Sequence, residues 1–227
     1  MRLLGDDTLA MVDEVFAAGA RHAVLLMRHS AREFVPGRHD LLNPLTDEGR
    51  ALAERFGRAL GKSLIVRGYS SPAERCVETA QLVLKGHEGG GGAVTRHRPV
   101  EGLGVFYVLD QMKMFRTMHA AEGQVPFLES WYAGRVPVDV MIPAAAAARL
   151  VIGVLHEKLR QPVGSPQLDV CVSHDMTVYL MRDRLLGEQA AEHGEVRFLD
   201  GLMLYQDARG ETWLRSARGS SARVEPG

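Results

Sequence analysis

"LLMRHSAR" (residues 25–32) decides the reading of this chain. The apolar run "HAVLLM" (22–27) passes without a break into Arg28, His29 and Arg32. A continuous apolar run of that length, bounded by charge, is the signature of a strand buried on both faces in a parallel sheet. The three cationic or potentially cationic groups at its end repel one another and are costly to bury unpaired. A site that receives a multiply charged anion removes that cost. The alternative is a strand ending in a solvated basic loop, and the rest of the chain must choose between the two.

Working outward, residues 6–19 read as a helix capped by an aspartate and closed by Gly19. Residues 44–61 form a helix with Thr46 at its N-cap and acids in the first turn. A strand follows at 63–71. The next helix, 71–86, has a capping box of Ser71 with Glu74 and Pro72 at its first position. "HEGGGG" (87–92) is a surface turn and 93–98 a short strand. The segment 104–142 is irregular and rich in Met, Phe, Tyr and Trp. A long helix at 143–160, a buried strand at 168–173 and a helix at 175–186 come next. The tail alternates like antiparallel strands over 196–216, with turns at Asp200-Gly201 and Ala208–Gly210. No internal repeat is present. The order predicts one α/β domain over 1–227, a three-layer αβα sandwich on a mostly parallel sheet.

Bulk properties narrow the function. The chain has 227 residues and a formal net charge of −1, so no overall field draws it to nucleic acid or an anionic membrane. Of its 27 basic residues only four are lysine, and arginine's rigid fork suits carboxylate or phosphate. Cys76 and Cys171 sit among apolar neighbours, as small buried hydrophobes of a reducing compartment do. The acids Asp6 and Asp7 fall where a signal peptide needs an apolar run, and no apolar stretch reaches membrane-spanning length. These features predict a soluble, cytoplasmic protein that binds neither nucleic acid nor membrane. "GKS" (61–63) ends a helix instead of opening one, so it is not a phosphate loop. The nine histidines form no zinc spacing, and neither a metal nor a cofactor is expected.

Two further strand ends settle the opening question. Strand 63–71 runs into "SSPAER", which places Arg75 in the first turn of a helix. Strand 168–173 runs into His174-Asp175, again opening a helix. In parallel sheets the carboxyl ends of strands and the helix N-termini after them border the binding crevice, and those N-termini favour anions. Two histidines and two or three arginines thus converge on one space. A tetrahedral phosphoryl group needs such an arrangement: fixed donors for its oxygens and a nucleophile in line.

"LLMRHSAR", "NPLTDEGRALA", "SSPAERCVETA" and "VSHD", in this order, resemble the histidine phosphatase superfamily with the phosphoglycerate mutase-like fold. The resemblance spans about residues 22–187. It implies a metal-independent phosphatase acting on a small-molecule or protein phosphomonoester through a phosphohistidine. His29 would be the nucleophile. Arg28 and Arg75 would hold the phosphoryl oxygens, and His174 would hydrogen-bond the transferring group. Arg32 matches the further arginine of the acid-phosphatase branch, and His174-Asp175 matches that branch's His-Asp, with Asp175 as proton donor. The mutase branch instead takes its acid from a glutamate after the second arginine, where this chain has Glu101. Asp175 is preferred because its motif adjoins His174. Ser30 stands where the family has a glycine, and the rest of the mutase's first motif is missing. The alternatives are a mutase-like phosphotransferase and a catalytically weak phospho-ligand binder. Residues 104–142 fall where the superfamily inserts a cap over the substrate, and could equally be core.

Overall fold

The computed structural model describes residues 3–35 and 40–225. The apolar run is β1 (His22–Arg28), with its five central residues buried. Because successive side chains point to opposite faces, Ala23, Leu25 and Met27 enter one core, and Val24 and Leu26 the other. Among the described residues the sheet has seven strands. Their order is β3 (Ala93–Pro99), β2 (Ile65–Ser70), β4 (Gln167–Ser173), β1, β5 (Gly201–Gln206), β6 (Thr212–Ser216) and β7 (Ser221–Arg223). The first four are mutually parallel and the last three join antiparallel.

One face carries α1 (Asp6–Ala17), α2 (Asp47–Ala59) and α3 (Glu74–Gly89). Their Met11, Phe56 and Val83 share a core with Leu25 and Val170. The other face carries α4 (Gln111–Ala120), α5 (Gln124–Tyr132), α6 (Ala144–Leu159) and α7 (Asp175–Leu186). Trp131, Leu155 and Leu180 there share a core with Val24, Leu26 and Leu204. This is the expected three-layer sandwich. Cys76 lies in the first core and Cys171 in the second, so the sheet separates the two free thiols.

The helices α2 and α3 meet at backbone contact. A Cβ on Gly57 would stand 1.9 Å from the Val83 carbonyl oxygen, and one on Gly86 2.0 Å from that of Glu54. At the amino ends of the central strands, Arg67 grips Asp169 with Nε and Nη2 at 2.9 and 2.6 Å. Gln167 and His22 bond the same buried carboxylate. This network lies at the strand ends opposite those that carry the cations.

Several local expectations are corrected. Gly5, not an aspartate, caps α1, at φ +87°; Asp6 instead accepts the Leu3 N–H at 2.7 Å. No capping box opens α3, which begins at Glu74 with Ala73 at its N-cap; the Ser71 hydroxyl accepts the Ala73 N–H at 3.3 Å and meets His174 Nε2 at 2.9 Å. The same helix runs on through 87–89 in place of the expected turn, with His87 buried and its Nε2 bonded to the Leu64 carbonyl at 2.9 Å. Residues 104–142 are not irregular: they hold α4 and α5. That segment is both core and surface, with Tyr107, Phe127 and Trp131 buried and Met112 and Phe115 exposed. The one-turn α8 (Ala190–His193) and strand β7 were not foreseen, and residues 196–200 precede the sheet instead of joining it.

Candidate active site

The strand register brings the chemistry together. Arg28 of β1 pairs with Ser173 of β4, and Ser70 of β2 with Val172. His29, Ser71 and His174 therefore leave the sheet side by side. Backbone bonds hold two of these exits, His29 N to Ser173 O at 3.0 Å and Ser71 N to Val172 O at 2.8 Å. The loop after His29 is pinned on α2, where Ser30 Oγ donates to the Gly49 carbonyl at 2.7 Å. A Cβ on Gly49 would strike the Ala31 carbonyl oxygen at 2.0 Å, so a side chain there would dislodge the loop.

His29 is buried and its partners set its tautomer. Nδ1 faces the Ser30 carbonyl at 2.8 Å, which only accepts, so Nδ1 carries the proton. Nε2 takes the Arg75 Nε–H at 3.0 Å, so it presents its lone pair. Burial, and after it the charge of Arg75, hold the imidazole's pKa well below 6.5. The result is a neutral base among cations.

His174 mirrors it. Its Nε2 lies 2.9 Å from Ser71 Oγ and its Nδ1 3.4 Å from Arg75 Nη2. Burial first, then Arg75, lower its pKa to about 4. Asp175 opens α7, accepting the Met176 N–H at 2.7 Å on Oδ1 and pairing with Arg28 Nη2 at 3.1 Å on Oδ2. Arg28 also donates to the Val196 carbonyl at 2.6 Å, and its guanidinium lies 4.1 Å from the centre of the Phe198 ring.

Arg75 faces Asp40. Nη1 donates to the Asp40 carbonyl at 2.8 Å and Nη2 to its carboxylate at 3.2 Å, while Arg32 Nη2 takes the other carboxylate oxygen at 2.6 Å. A carboxylate thus sits where two arginines converge. Arg32, Asp40, Arg75, His174 and Asp175 line one cavity of about 250 Å³. Glu101 lines an adjoining opening with Ser71, Gly104 and His174, and His174 lines both. Arg28 and His29 are not among the lining residues but each contacts one, Arg28 through Asp175 and His29 through Arg75. Among the described residues, no group of His, Cys, Asp and Glu is placed to hold a metal ion.

The family model of the histidine phosphatase superfamily (branch 1) matches residues 20–201. The chain belongs to that superfamily. Phosphoglycerate mutase from Bacillus anthracis superposes with a TM-score of 0.53 at 16% identity, over 92% of this chain and 94% of that one. Phosphoserine phosphatase from Entamoeba histolytica gives 0.50 at 16%, over 90% and 95%. A putative alpha-ribazole-5'-P phosphatase from Escherichia coli gives 0.52 at 18%, over 86% and 95%. No curated protein matches the sequence. These likenesses establish the phosphoglycerate mutase-like fold. The family match is to branch 1 and does not support the acid-phosphatase features at Arg32 and Asp175.

Sequence reasoning missed Asp40, Ser71 as the partner of His174, and Phe198 beneath Arg28. Asp40 opens a single 3-10 turn (Asp40–Leu42) and Phe198 stands in a turn, and neither is marked by periodicity or motif. Ser71 was noticed, but as a cap.

Proposed function

We propose that this protein is a metal-independent phosphatase that hydrolyses a phosphomonoester through a phosphohistidine on His29. The observation that supports this reading best is the neutral His29 imidazole, its Nε2 lone pair directed into a cluster of cations. Arg28, Arg32, Arg75 and His174 hold the three non-bridging oxygens. A phosphoryl group draws the Arg75 N–H off Nε2, and the freed lone pair forms the N–P bond as the ester P–O bond breaks. Asp175 gives its proton to the leaving oxygen. A dianion on Arg28 displaces the guanidinium from Asp175 Oδ2 and leaves that oxygen free to face the leaving group. Water then attacks phosphorus while Asp175 takes its proton, and the N–P electrons return to Nε2. Asp175 is the preferred acid because it shares the arginine-lined cavity; Glu101, which lines the adjoining opening with His174, is the alternative. The reaction takes place in the cytoplasm.

Intact-mass analysis after rapid quenching with p-nitrophenyl phosphate tests the reading. One added phosphoryl group, absent in His29→Ala, is the expected result; release of nitrophenol without any labelled protein overturns it. A product assay with a diol monophosphate separates hydrolysis from transfer to a second hydroxyl.

A further inference from the structure

The cavity that begins at the arginines does not end with them. It continues along a wall of Val105, Val108, Met114, Phe115, Met118 and Met176. Met114 and Met118 are four residues apart on α4 and so share a face, while Met176 directly follows Asp175. The proposed mechanism places the ester oxygen at Asp175, so the carbon atoms beyond that oxygen meet Met176 first and α4 next.

Among the described residues, every charged side chain lining this cavity, Arg32, Asp40, Arg75 and Asp175 together with His174, belongs to its phosphate end. The apolar wall offers two amides, Gln111 and Gln124, and, among the described residues, no cation. Lys113 of the same helix is turned to Asp139 at 2.6 Å and lies outside the lining. A substrate carboxylate or second phosphate would be stripped of water against thioethers with no counter-charge. A hydrocarbon body would gain from the same contact, because the polarizable, flexible methionines adapt to irregular apolar shapes. The apolar character extends outward: Phe34 is 75% exposed, with its ring 6.0 Å from the Arg32 guanidinium, and Phe115 is half exposed on the wall.

We infer that the substrate is the phosphate monoester of an uncharged, predominantly apolar alcohol, its hydrocarbon part held between α4 and Met176. This inference rests on the phosphatase reading above. The test measures kcat/KM for ethyl, butyl and hexyl phosphate, whose leaving groups are of nearly equal basicity, against phosphoserine and 3-phosphoglycerate. Full burial of a methylene corresponds to about a fourfold gain, so a rise of about twofold to fourfold per carbon is expected until the cavity is filled. Phosphoserine and 3-phosphoglycerate should fall at least about tenfold below hexyl phosphate. Met118→Lys should narrow or invert that ratio by weakening the long ester and helping the carboxylates. A flat chain-length series, or equal or better turnover of the carboxylates, overturns the inference. Labelling of His29 by acetyl phosphate, a small activated donor that does not need the wall, tells the two failures apart. If His29 is labelled but the series is flat, only the substrate class is wrong; if His29 is never labelled, the phosphatase reading falls and the inference with it.

Discussion

Asp40 changes how the arginines are understood at the scale of single residues. Its carboxylate joins Arg32 to Arg75 at 2.6 and 3.2 Å, so an incoming phosphate competes with an anion of the protein's own. Exposed or half-buried pairs of this kind contribute little, about 1 kcal/mol or less, but an equal amount is returned to a ligand when the competitor loses its charge. Asp40→Asn should therefore tighten competitive inhibition by inorganic phosphate, by about threefold to tenfold. Weaker inhibition in that variant would mean that Asp40 orders the arginines instead of competing for them. The two carboxylates separate by a different logic. An alkoxide leaves badly without a proton, so losing the acid should cost about 10²–10⁴ in rate, whereas nitrophenolate departs unaided. Asp175→Asn should cripple alkyl phosphate turnover while sparing the first-turnover burst of nitrophenol, and Glu101→Gln should show no such contrast. If the contrast follows Glu101, then Asp175 serves to hold Arg28.

Elements matter through what they carry. The helix α3 brings Arg75 to His29, and α2 carries the Gly49 carbonyl that holds Ser30. Their mutual spacing is set by Gly57 and Gly86, where added methyl groups meet carbonyl oxygens at about 2 Å. Gly86→Ala adds a helix-favouring residue yet should destabilise the protein by about 1–3 kcal/mol, since forcing the helices apart costs more than propensity returns. A thermal melt should show a midpoint several degrees lower, at about 2–4 °C per kcal/mol for a chain of this size. A raised midpoint would show that α2 and α3 yield easily.

Over the whole molecule, the buried histidines couple stability to pH. The folded state keeps His29 and His174 neutral below pH 6.5, where the unfolded chain binds protons to both. Their contribution is therefore complete above about pH 6.5 and is lost as pH falls towards 4, on the order of 3 kcal/mol for His174 alone. The urea midpoint should drop between pH 7 and pH 5, and His174→Gln should lose less over that interval than the unaltered protein. An equal loss in both would remove His174 as a cause. Because every proposed step uses the chain's own side chains, activity should be unchanged by EDTA; inhibition reversed by a divalent ion would reveal a missed metal site. Among the described residues, no helix is long and apolar enough to cross a membrane.

The sequence by itself determined the layers and the cluster. Apolar runs at 22–27 and 168–173 demanded burial on both faces, and they ended in Arg28-His29 and His174-Asp175, which only strand ends level with one another could bring together. Arg28, His29, Arg75, His174 and Asp175 were legible because each adjoins a strand end or opens a helix, where local pattern fixes position. Tertiary structure alone decided the rest. The hydroxyl of Ser71 meets His174, a residue distant in sequence, and no local signal reports that pairing. Asp40 reached Arg32 and Arg75 from the start of a 3-10 turn that no periodicity encodes. Aromatic and methionine content could not divide 104–142 into core and wall, because apolar side chains serve both. The fold made that division by turning Tyr107, Phe127 and Trp131 inward and leaving Met114 and Met118 to line the cavity.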